Sequence, residues 1–590
     1  MAKTGAEVLV STLKDLDVEY VFGYPGGAVL PIYDALYGSS LKHILTRHEQ
    51  GAAHAADGYA RASGKVGVVI ATSGPGATNL VTGLANAYMD SVPMVAITGQ
   101  VQSGLIGKDS FQEADVFGIT MPITKHNYLI KDENKIEAIL KEAFYIASTG
   151  RPGPVLVDIT KDALMNYVSK SGSKQRLELQ GYRVLKEGHP RQIAIARKLI
   201  KEANKPLIYA GGGAQDASKL LLKLAENFNI PVTTTLMGIG AFPGNHELNL
   251  GMLGMHGTPW ANLAVQNCDL LIAIGARFDD RVTGALNKFA EKAKIVHIDI
   301  DAAEIGKNVP AYVPIVGDAN TVLTELIDDT RLSHKDWILE IQNFEFPAQT
   351  AKEPKRGDCV NCTEPNMHFA ELPPPCRQKD SVDPKVVLEL ASSLFKNQLI
   401  VATDVGQNQM WAAQYIKIEK PRSFITSGGL GTMGYGLPAA IGAQLGRPKE
   451  QVVLVTGDGS IQMNIQELAT IAAYNIPVKV VLLNNRVLGM VRQWQTIFYN
   501  GRYSQTCTGS IPDFCALANA YSIPSLRVKG LDDLDEFKVA LKAEGPYFIE
   551  VAVDPDESVW PMVAPGASLC EMFHASKAPT PSWQRGQNDE

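Results

Sequence analysis

Two polar groups near the carboxyl end of the chain stand where strands are expected to finish. Gly457-Asp458-Gly459-Ser460 follows the apolar run VVLVT, and Asn484-Asn485 follows the run VKVVLL. A helical apolar pattern lies between them, and 24 residues separate Gly459 from Asn484. Because the strands of a parallel βαβ unit finish at the same sheet edge, the acidic turn and the asparagines are predicted to lie side by side.

The residue types at this edge fit a magnesium ion that bridges a diphosphate, because Mg²⁺ prefers oxygen ligands and takes few of them from protein. The predicted protein ligands are Asp458, the side-chain oxygen of Asn485 and the carbonyl of Val487. The turn residues expected to approach the phosphates, at the amino end of a helix, are Gly457, Gly459 and Ser460. A tight turn without a ligand is the alternative for a Gly-Asp-Gly alone. The βαβ context argues against that alternative.

Length and charge limit the class of protein. A chain of 590 residues is too long for one core, so three or four domains are expected. The 55 Lys and Arg against 62 Asp and Glu, without a basic stripe, argue against nucleic acid as a partner. No targeting pattern opens the chain, no apolar run approaches the length of a membrane span, and the seven cysteines are odd in number. A cytoplasmic protein with reduced thiols and no membrane segment is therefore expected.

Strand and helix patterns alternate in three regions. Residues 1–165 and 383–555 share the series strand, glycine turn, helix and strand, which indicates two domains of one kind produced by duplication. Residues 190–330 form another α/β unit, whose strands end in glycine or aspartate but lack the standard dinucleotide fingerprint, so NAD is not supported. The predicted fold is α/β, with three doubly wound parallel-sheet domains. Polar linkers and a C-terminal tail at 556–590 complete it.

Taken with Glu49, these features resemble the acetohydroxyacid synthase (acetolactate synthase) catalytic subunits, a thiamine-diphosphate family, over nearly the whole chain. The matching stretches are FGYPGGA (22–28), RHEQGAAH (47–54), IGKDSFQEAD (106–115), RPGPVLVDITKD (151–162), GMLGMHG (251–257), GARFDDRVTG (275–284), TSGGLGTMGYGLPAAIGA (426–443) and NNRVLGMVRQWQ (484–495). The resemblance implies a pyrimidine-binding domain, a central FAD-binding domain and a diphosphate-binding domain. The implied cofactors are thiamine diphosphate, Mg²⁺ and FAD.

The reaction implied by the resemblance decarboxylates pyruvate and adds the hydroxyethyl group to a second pyruvate or to 2-oxobutyrate, leading to valine, leucine and isoleucine. No side chain can hold the electron pair left by such a cleavage, so the cofactor must act as the electron sink. Glu49 is the candidate that hydrogen-bonds the aminopyrimidine and drives its imino form; a solvated acid at a helix start is the alternative. The rival functions are a flavin-using pyruvate oxidase or another thiamine-diphosphate-dependent 2-keto acid decarboxylase and, from a different class, a non-catalytic nucleotide sensor.

The resemblance assigns further residues around the reacting centre. Gly27 leaves space there, Met433 supports the bent cofactor, and Met490 is a further cofactor contact. Arg281 would pair with the carboxylate of the second keto acid, which a planar guanidinium does well, and Trp494 would wall the acceptor pocket. The residues placed at the entrance are Phe111, Gln112 and Lys161. Turn, core and surface roles without a ligand are the alternatives.

A central FAD site is implied by residues from two domains. They are Arg151, Gly211, Gly212, Gly213, Met255, His256, Gly257, Gly275, Arg277, Asp279, Asp299, Asp301 and Asp318. A lone aspartate at a strand end is often only a helix cap, but several in successive strands favour ribose and adenine contacts. Condensing two keto acids needs no net redox step, so the flavin is expected to be structural or inherited.

The resemblance also implies partners. Glu49 of one subunit would serve the cofactor of another, so a homodimer or tetramer is expected, with a small regulatory subunit. Gln102 stands where the family often has proline, which predicts a less rigid entrance loop. The linker residues Cys359, Cys362, His368 and Cys376 have a zinc-type spacing, although exposed thiols in a solvated linker remain the favoured interpretation.

Overall fold

The computed structural model describes residues 2–169, 179–344, 380–508 and 512–573. These residues form three six-stranded sheets and a small two-stranded hairpin. All neighbouring strands within the three large sheets are parallel. Each sheet separates two apolar cores, one on each face. The predicted α/β fold with three doubly wound domains is confirmed.

The first sheet has the order β2-β1-β3-β4-β6-β5. Its strands are β1 (Tyr20–Gly23), β2 (Lys42–Leu45), β3 (Gly67–Ala71), β4 (Met94–Gln100), β5 (His126–Ile130) and β6 (Pro154–Thr160). Its helices are α1 (Gly5–Asp15), α2 (Leu30–Leu36), α3 (Glu49–Ser63), α4 (Pro75–Thr78), α5 (Val81–Met89), α6 (Val116–Thr120), α7 (Ile136–Ser148) and α8 (Lys161–Met165). Successive residues of β3 pack into opposite cores, Val68 into one and Val69 into the other, as strand geometry requires.

The middle sheet has the order β12-β11-β10-β7-β8-β9. Its strands are β7 (Pro206–Ala210), β8 (Val232–Thr234), β9 (Asn249–Met252), β10 (Leu270–Ile274), β11 (Lys294–Asp299) and β12 (Val313–Val316). Its helices are α9 (Pro190–Glu202), α10 (Ser218–Phe228), α11 (Pro259–Asn267), α12 (Asp280–Thr283), α13 (Ala319–Leu326) and α14 (Lys335–Gln342). From β7 the chain adds β8 and β9 on one side, and then returns to add β10, β11 and β12 on the other side of β7. This is the strand order of dinucleotide-binding sheets.

The third sheet has the order β14-β13-β15-β16-β18-β17. Its strands are β13 (Leu399–Thr403), β14 (Phe424–Ile425), β15 (Gln451–Gly457), β16 (Lys479–Asn484), β17 (Ser525–Val528) and β18 (Tyr547–Ala552). Its helices are α15 (Pro384–Phe395), α16 (Gln407–Tyr415), α17 (Gly436–Gly446), α18 (Asp458–Ile461), α19 (Leu468–Tyr474), α20 (Gly489–Phe498), α21 (Phe514–Ala520) and α22 (Leu534–Lys542). When the strands of each sheet are numbered from its own first strand, the first and third sheets have the same strand order. Two domains of one kind, as the predicted duplication would produce, are expected to share it.

Helices α3 and α17 join the first and third domains. Helix α3, rich in small residues, begins at Glu49, because the His48 side chain accepts the N–H of Gln50 and caps it. A Cβ at Gly58 would collide with the backbone of Ala439, and one at Gly442 would collide with Ala55. The two backbones can therefore touch only because these positions lack side chains, and this contact fixes the helix that carries Glu49.

The end of the described chain packs back on the middle domain. Strands β19 (Met562–Val563) and β20 (Met572–Phe573) form the antiparallel hairpin, and Val563 and Met572 join the core beneath β7 and β10. Among the residues described, no helix has both the length and the apolar character needed to cross a membrane. The cysteine and histidine residues of the proposed zinc site, at 359–376, lie outside the described ranges.

Candidate active site

The structure places the acidic turn beside the asparagine pair, as βαβ geometry predicted. Strands β15 and β16 are neighbours, with Gly457 opposite Leu483. Asp458 opens α18 at the end of β15, and Asn485 follows the end of β16. In this sheet β14 is added on one side of β13 and β15 on the other, so the order of the strands switches between β13 and β15. The turn after β15 therefore lies at the switch point where ligands of such sheets bind.

Three oxygen atoms converge at this point. The amide oxygen of Asn485 lies 3.2 Å from Asp458 Oδ1 and 2.9 Å from the carbonyl oxygen of Val487. It receives one long hydrogen bond, from the N–H of Val487 at 3.3 Å. If only these two oxygens are considered, hydrogen bonding would favour rotating the amide so that its nitrogen faced them. A cation among the three oxygens would favour the orientation observed, because oxygen is the ligand that Mg²⁺ prefers.

A relay of buried amides decides between these orientations. Backbone groups of Val559 fix the Gln493 amide, donating to its oxygen at 2.9 Å and accepting from its nitrogen at 2.9 Å. Gln407 Nε2 donates to Gln493 Oε1 at 3.1 Å and to the carbonyl of Glu557 at 3.0 Å, which leaves Gln407 Oε1 facing Asn485. Asn485 Nδ2 donates to that oxygen at 3.0 Å. Rotating the Asn485 amide would place its oxygen against Gln407 Oε1, and both atoms are acceptors. The relay therefore keeps the Asn485 nitrogen on Gln407 and directs the Asn485 oxygen toward Asp458.

The carboxylate of Asp458 is held by the segment that covers it. Asp458 is 1% exposed, and burial raises its pKa to about 7. Thr508 donates its hydroxyl to Asp458 Oδ2 at 3.2 Å. The Thr508 segment pairs with the ligand loop, since Thr508 N donates to Arg486 O at 3.1 Å and Leu488 N donates to Thr506 O at 2.8 Å. This pairing leaves Oδ1 directed toward the other two oxygens.

We expect Thr508→Val to weaken Mg²⁺ binding by roughly tenfold, within the 10 to 100-fold range typical of partners that orient metal ligands. The valine keeps the shape of the side chain but removes the hydroxyl that fixes Asp458. Isothermal titration of Mg²⁺ in the presence of thiamine diphosphate measures the effect. Thr508→Ser, which keeps the hydroxyl, is the matched control. Equal loss in both variants would mean that packing, not the hydrogen bond, matters here.

Two side chains flank the glycine turn. A Cβ at Gly459 would lie 2.7 Å from Leu488 Cδ2 and 3.7 Å from Met433 Cε, so the Met433 side chain reaches the glycine turn. Ser460 donates its hydroxyl to the carbonyl of Val405 at 2.6 Å, so this hydroxyl already has a partner within the chain. Met490 packs against the core on one face of the third sheet. Gly457 is extended and approaches the side chain of Asn408.

Glu49 lies at the carboxyl edge of the first sheet. Asn79 donates to its Oε2 at 3.0 Å. A Cβ at Gly76 would lie 3.2 Å from Glu49 Oε1 and 2.7 Å from a methyl group of Thr72, so glycine at position 76 makes room for the carboxylate. Thr72 also accepts the N–H of Ala28 at 3.2 Å, which brings the loop of Gly27 to the same edge.

The remaining residues of the first domain surround this edge. Gln112 has a positive φ of 60° and its backbone packs against Gly74, while Phe111 beside it is 88% exposed. Lys161 opens α8 at the end of β6. Among the described residues, a Cβ at Gly27 would meet nothing within 4 Å, in contrast to Gly26, whose Cβ would lie 2.5 Å from Thr72. Packing among these residues therefore requires glycine at 26 but not at 27.

Arg281 and Trp494 meet across the boundary of the middle and third domains. The guanidinium carbon lies 5.7 Å from the centre of the Trp494 ring, within the range of a cation–π contact. Arg281 also lies 3.8 Å from the exposed Asp280. The indole nitrogen of Trp494 is buried and has no hydrogen-bond partner among the described residues. The two residues predicted to line the acceptor pocket are thus brought together.

Nine of the predicted FAD residues lie at or just after the carboxyl ends of the adjacent strands β7, β10, β11 and β12 of the middle sheet. Met255, His256 and Gly257 follow β9, and Arg151 belongs to the first domain. Several also have roles within the chain. Gly211 and Gly213 pack directly against the backbone of Gly275, so a Cβ would not fit. Asp279 and Asp318 cap α12 and α13. Gly257 packs tightly on the backbone of Leu253, whereas Gly212 is closest to Met237 Cβ at 3.4 Å.

Polar groups at the same edge fit a bound ligand. Burial raises the pKa of Asp299 to about 6, and Asp301 N donates to it at 2.9 Å. Arg151 reaches over from the first domain to Glu304 at 2.7 Å and Asp301 at 3.4 Å, and Arg277 donates to the carbonyl of Met89 at 2.9 Å. In the Met255-His256-Gly257 segment, His256 Nδ1 is buried and has no partner among the described residues.

Sequence reasoning missed Gln407, Gln493 and Thr508. Gln407 follows Gly406 at the end of β13, on the other side of the switch point from Asp458. A comparison of strand ends could have identified it. Nothing in the sequence brings Gln493 or Thr508 to this site, because their contacts depend on how the later segments fold back.

Comparison with known proteins covers all three domains. Residues 3–119 match the "Thiamine pyrophosphate enzyme, N-terminal TPP binding domain", residues 193–326 the central domain of those enzymes, and residues 404–551 the C-terminal TPP binding domain. The matched ranges contain the acidic turn, the asparagine pair and Glu49.

Curated relatives align over nearly full length. The "Probable acetolactate synthase large subunit" of Methanocaldococcus jannaschii is 50% identical over 99% of this chain and 98% of its own. The "Acetolactate synthase" of Mycobacterium bovis is 50% identical over 96% and 91%, and the "Acetolactate synthase large subunit" of Pyropia yezoensis is 47% identical over 98% and 96%. A match of this extent, together with the three domains, shows that the chain belongs to the acetolactate synthase large subunits, a family of thiamine pyrophosphate enzymes.

Proposed function

We propose that this chain decarboxylates pyruvate and joins the resulting two-carbon unit to a second pyruvate or to 2-oxobutyrate. The products are 2-acetolactate and 2-aceto-2-hydroxybutyrate, and the role is in the synthesis of valine, leucine and isoleucine. The enzyme is a carbon–carbon bond-forming transferase. The four described cysteines are free thiols, in keeping with a cytoplasmic location.

The observation that carries this proposal is the contact between Arg281 and Trp494. A carboligase must bind a second keto acid beside the first, and that acceptor has a carboxylate and an apolar end. Arg281 offers a planar cation for the carboxylate, and Trp494 offers an apolar wall for the carbon chain. An oxidase of similar architecture transfers electrons instead and has no need for this pair.

Magnesium and the diphosphate of the cofactor fit the oxygen cluster of Asp458, Asn485 and Val487. The three oxygens face one point, the amide relay fixes one of them, and the buried carboxylate supplies a negative charge. Phosphate oxygens and water would fill the remaining positions around a bound Mg²⁺, as is usual for this ion. Thiamine diphosphate supplies the electron sink that cleavage beside a carbonyl requires.

Glu49 holds a proton or a hydrogen bond at the pyrimidine end of that cofactor. Asn79 and the space at Gly76 set the direction of its carboxylate. No hydrogen bond, ion pair or ring contact among the described residues joins Glu49 or Gln112 to the cluster of Asp458. A homodimer, or a tetramer built from it, completes the site by placing Glu49 of one copy against the diphosphate cluster of its partner. A small regulatory subunit is proposed as a further partner, from the "large subunit" names of the relatives.

FAD is proposed as a structural cofactor of residues 190–330. The strand order of this sheet is that of dinucleotide-binding folds, and the buried His256 Nδ1 has no hydrogen-bond partner among the residues that the structure describes. Arg151 and Arg277 tie this edge to the first domain. Bound flavin would therefore steady the contact between domains without taking part in the condensation.

One assay tests the proposed reaction. The purified chain is incubated with pyruvate, with and without thiamine diphosphate, Mg²⁺ and FAD, while acetolactate and oxygen are measured. Acetolactate formation that requires thiamine diphosphate and Mg²⁺ supports the proposal. Stoichiometric oxygen uptake without acetolactate would indicate a pyruvate oxidase instead.

Trp494 is expected to set the choice of acceptor. Pyruvate and 2-oxobutyrate differ by one methylene, so Arg281 binds both equally and only an apolar contact separates them. A buried methylene contributes ~0.8 kcal/mol by area and up to about 3 kcal/mol in a fitted pocket, or roughly 10 to 200-fold in preference. We expect the enzyme to favour 2-oxobutyrate, and Trp494→Leu to bring that preference toward unity while pyruvate turnover survives.

Competition between the two acceptors at fixed pyruvate measures this ratio. Trp411 is buried in the core of the third domain and serves for comparison, because Trp411→Phe should alter stability and not the product ratio. An unchanged ratio in Trp494→Leu would move the specificity contact to another residue.

A further inference from the structure

A buried polar cluster lies where the first and third domains meet. We call Asp57, Arg61, Asn86, Asp90 and Tyr435 the interdomain cluster. Arg61 pairs with Asp57 at 2.6 Å and with Asp90 at 2.8 Å. Tyr435 donates its hydroxyl to Asp57 Oδ1 at 2.6 Å, and Asn86 Nδ2 donates to Asp57 Oδ2 at 3.1 Å. Four of the five residues come from α3 and α5 or the end of α5, and one from the third domain.

The cluster is satisfied without solvent. The side chains of Asp57 and Asp90 are fully buried, and that of Arg61 is 10% exposed. One guanidinium between two carboxylates leaves one negative charge, which neutral donors must stabilise. Besides Asn86 and Tyr435, the backbone N–H groups of Gly428 and Gly429 supply this, donating to Asp90 at 3.0 and 2.7 Å. A buried network in which every group is hydrogen-bonded is rigid, so it fixes the position of the segments that bind to it.

What it holds is the loop of residues 427–432. Ser427 and Thr432, at the two ends of that loop, both donate hydroxyls to Asn86 Oδ1, at 2.5 and 3.3 Å. Thr432 N donates to Ser427 Oγ at 2.8 Å and closes the loop. Asp90 binds its middle through the two glycines. The first domain therefore fixes both ends and the centre of this loop.

Met433 follows the loop directly and is fixed on both sides. Thr432 before it is tied to Asn86, and Tyr435 after it is tied to Asp57. Gly434 N, between them, donates to the buried Asp404 at 2.8 Å. A methionine side chain has three rotatable bonds, so it can be aimed at a ligand only if its backbone does not move.

We propose that the interdomain cluster is a positioning device, through which the first domain of each chain sets Met433 of the same chain against the diphosphate turn at Gly459. The inference rests on the proposed function, since it takes Met433 as the support of thiamine diphosphate. It adds the residues on which that support depends, and it makes cofactor binding sensitive to the contact between the domains.

The test is a double-mutant cycle on cofactor affinity. Thr432→Val removes the hydroxyl bound to Asn86, and Thr432→Ser keeps it. The dissociation constant of thiamine diphosphate with Mg²⁺ is measured by quenching of tryptophan fluorescence, alongside the melting temperature of the cofactor-free protein. Loss of one hydrogen bond predicts an affinity about fivefold weaker for Thr432→Val and unchanged for Thr432→Ser. In a Met433→Ala background the same substitution should change affinity less than about twofold.

Tyr435→Phe, which removes only one hydroxyl, repeats the cycle with a variant of nearly unchanged shape. A full effect that persists in the Met433→Ala background would overturn the proposal, as would normal affinity in both Thr432→Val and Tyr435→Phe. Failure of the proposed function has a different signature: wild-type protein that binds thiamine diphosphate but forms no acetolactate from pyruvate.

Discussion

Replacement of Glu49 by glutamine is expected to lower acetolactate formation by on the order of 10² or more, the loss typical of a positioned proton-transfer group. Glutamine has the same shape, and its oxygen still accepts from Asn79, so folding and cofactor affinity should stay close to those of the wild type. What it lacks is the negative charge with which Glu49 is proposed to drive the pyrimidine to its imino form. Deuterium exchange at the reactive carbon of bound thiamine diphosphate reports this step directly and should slow in parallel with turnover.

The chain offers a matched control for this change. Glu7 also lies in the first turn of a helix in the same domain, where it forms a capping box with Thr4. Glu7→Gln should cost at most about 1 kcal/mol of stability and leave turnover unchanged. Near-normal turnover in Glu49→Gln would remove Glu49 from the mechanism.

The predicted fold rested on short-range patterns that parallel sheets impose. Apolar runs that end in glycine or aspartate identified strands buried on both faces, and the repeated series in residues 1–165 and 383–555 indicated a duplication. The buried strands are seen, and the strand orders of the first and third sheets are the same, as expected for two domains of one kind. The position of Asp458 beside Asn485 followed from the same rule, since neighbouring parallel strands finish together.

The details that decide chemistry were not visible in the sequence. The direction of the Asn485 amide depends on Gln407, Gln493 and the backbone at Val559, which the chain brings together from distant segments. Thr508 reaches Asp458 only because residues 503–508 fold back over the ligand loop. Such contacts have no local pattern, so a residue's type could suggest a ligand but not its orientation.

Glycines show a related limit of sequence reasoning. Gly211, Gly213 and Gly275 were assigned to a cofactor from the resemblance, yet each is also required where two strand ends touch. Gly27 is the opposite case, because no neighbour in the described part of the chain would obstruct a side chain there. Only the second kind of glycine points to something outside the chain, which makes Gly27 the stronger candidate for a ligand contact.

Replacement of Asp458 by asparagine is expected to separate metal binding from stability. The amide keeps the shape of the carboxylate and can still accept from Thr508. Its NH₂ group would face the oxygens of Asn485 and Val487, and would donate to them where the wild type has only acceptors. Because a buried carboxylate with a pKa raised to about 7 is replaced by a neutral donor, the melting temperature of the metal-free protein should not fall.

Mg²⁺ affinity, in contrast, should fall by more than the 10 to 100-fold expected for an outer partner such as Thr508, since a charged ligand is lost and a donor now occupies its place. Titration of Mg²⁺ with thiamine diphosphate present measures the affinity, and acetolactate formation at each concentration measures its effect on activity.

Asp158→Asn is the matched control. Asp158 is also 1% exposed, with a pKa raised to about 7 by burial, but it is bound by Thr98 and Gln100 in the first domain. That variant should bind Mg²⁺ normally. Wild-type Mg²⁺ affinity in Asp458→Asn would show that the three converging oxygens are not the metal site, since no neutral amide can replace a carboxylate ligand there without loss.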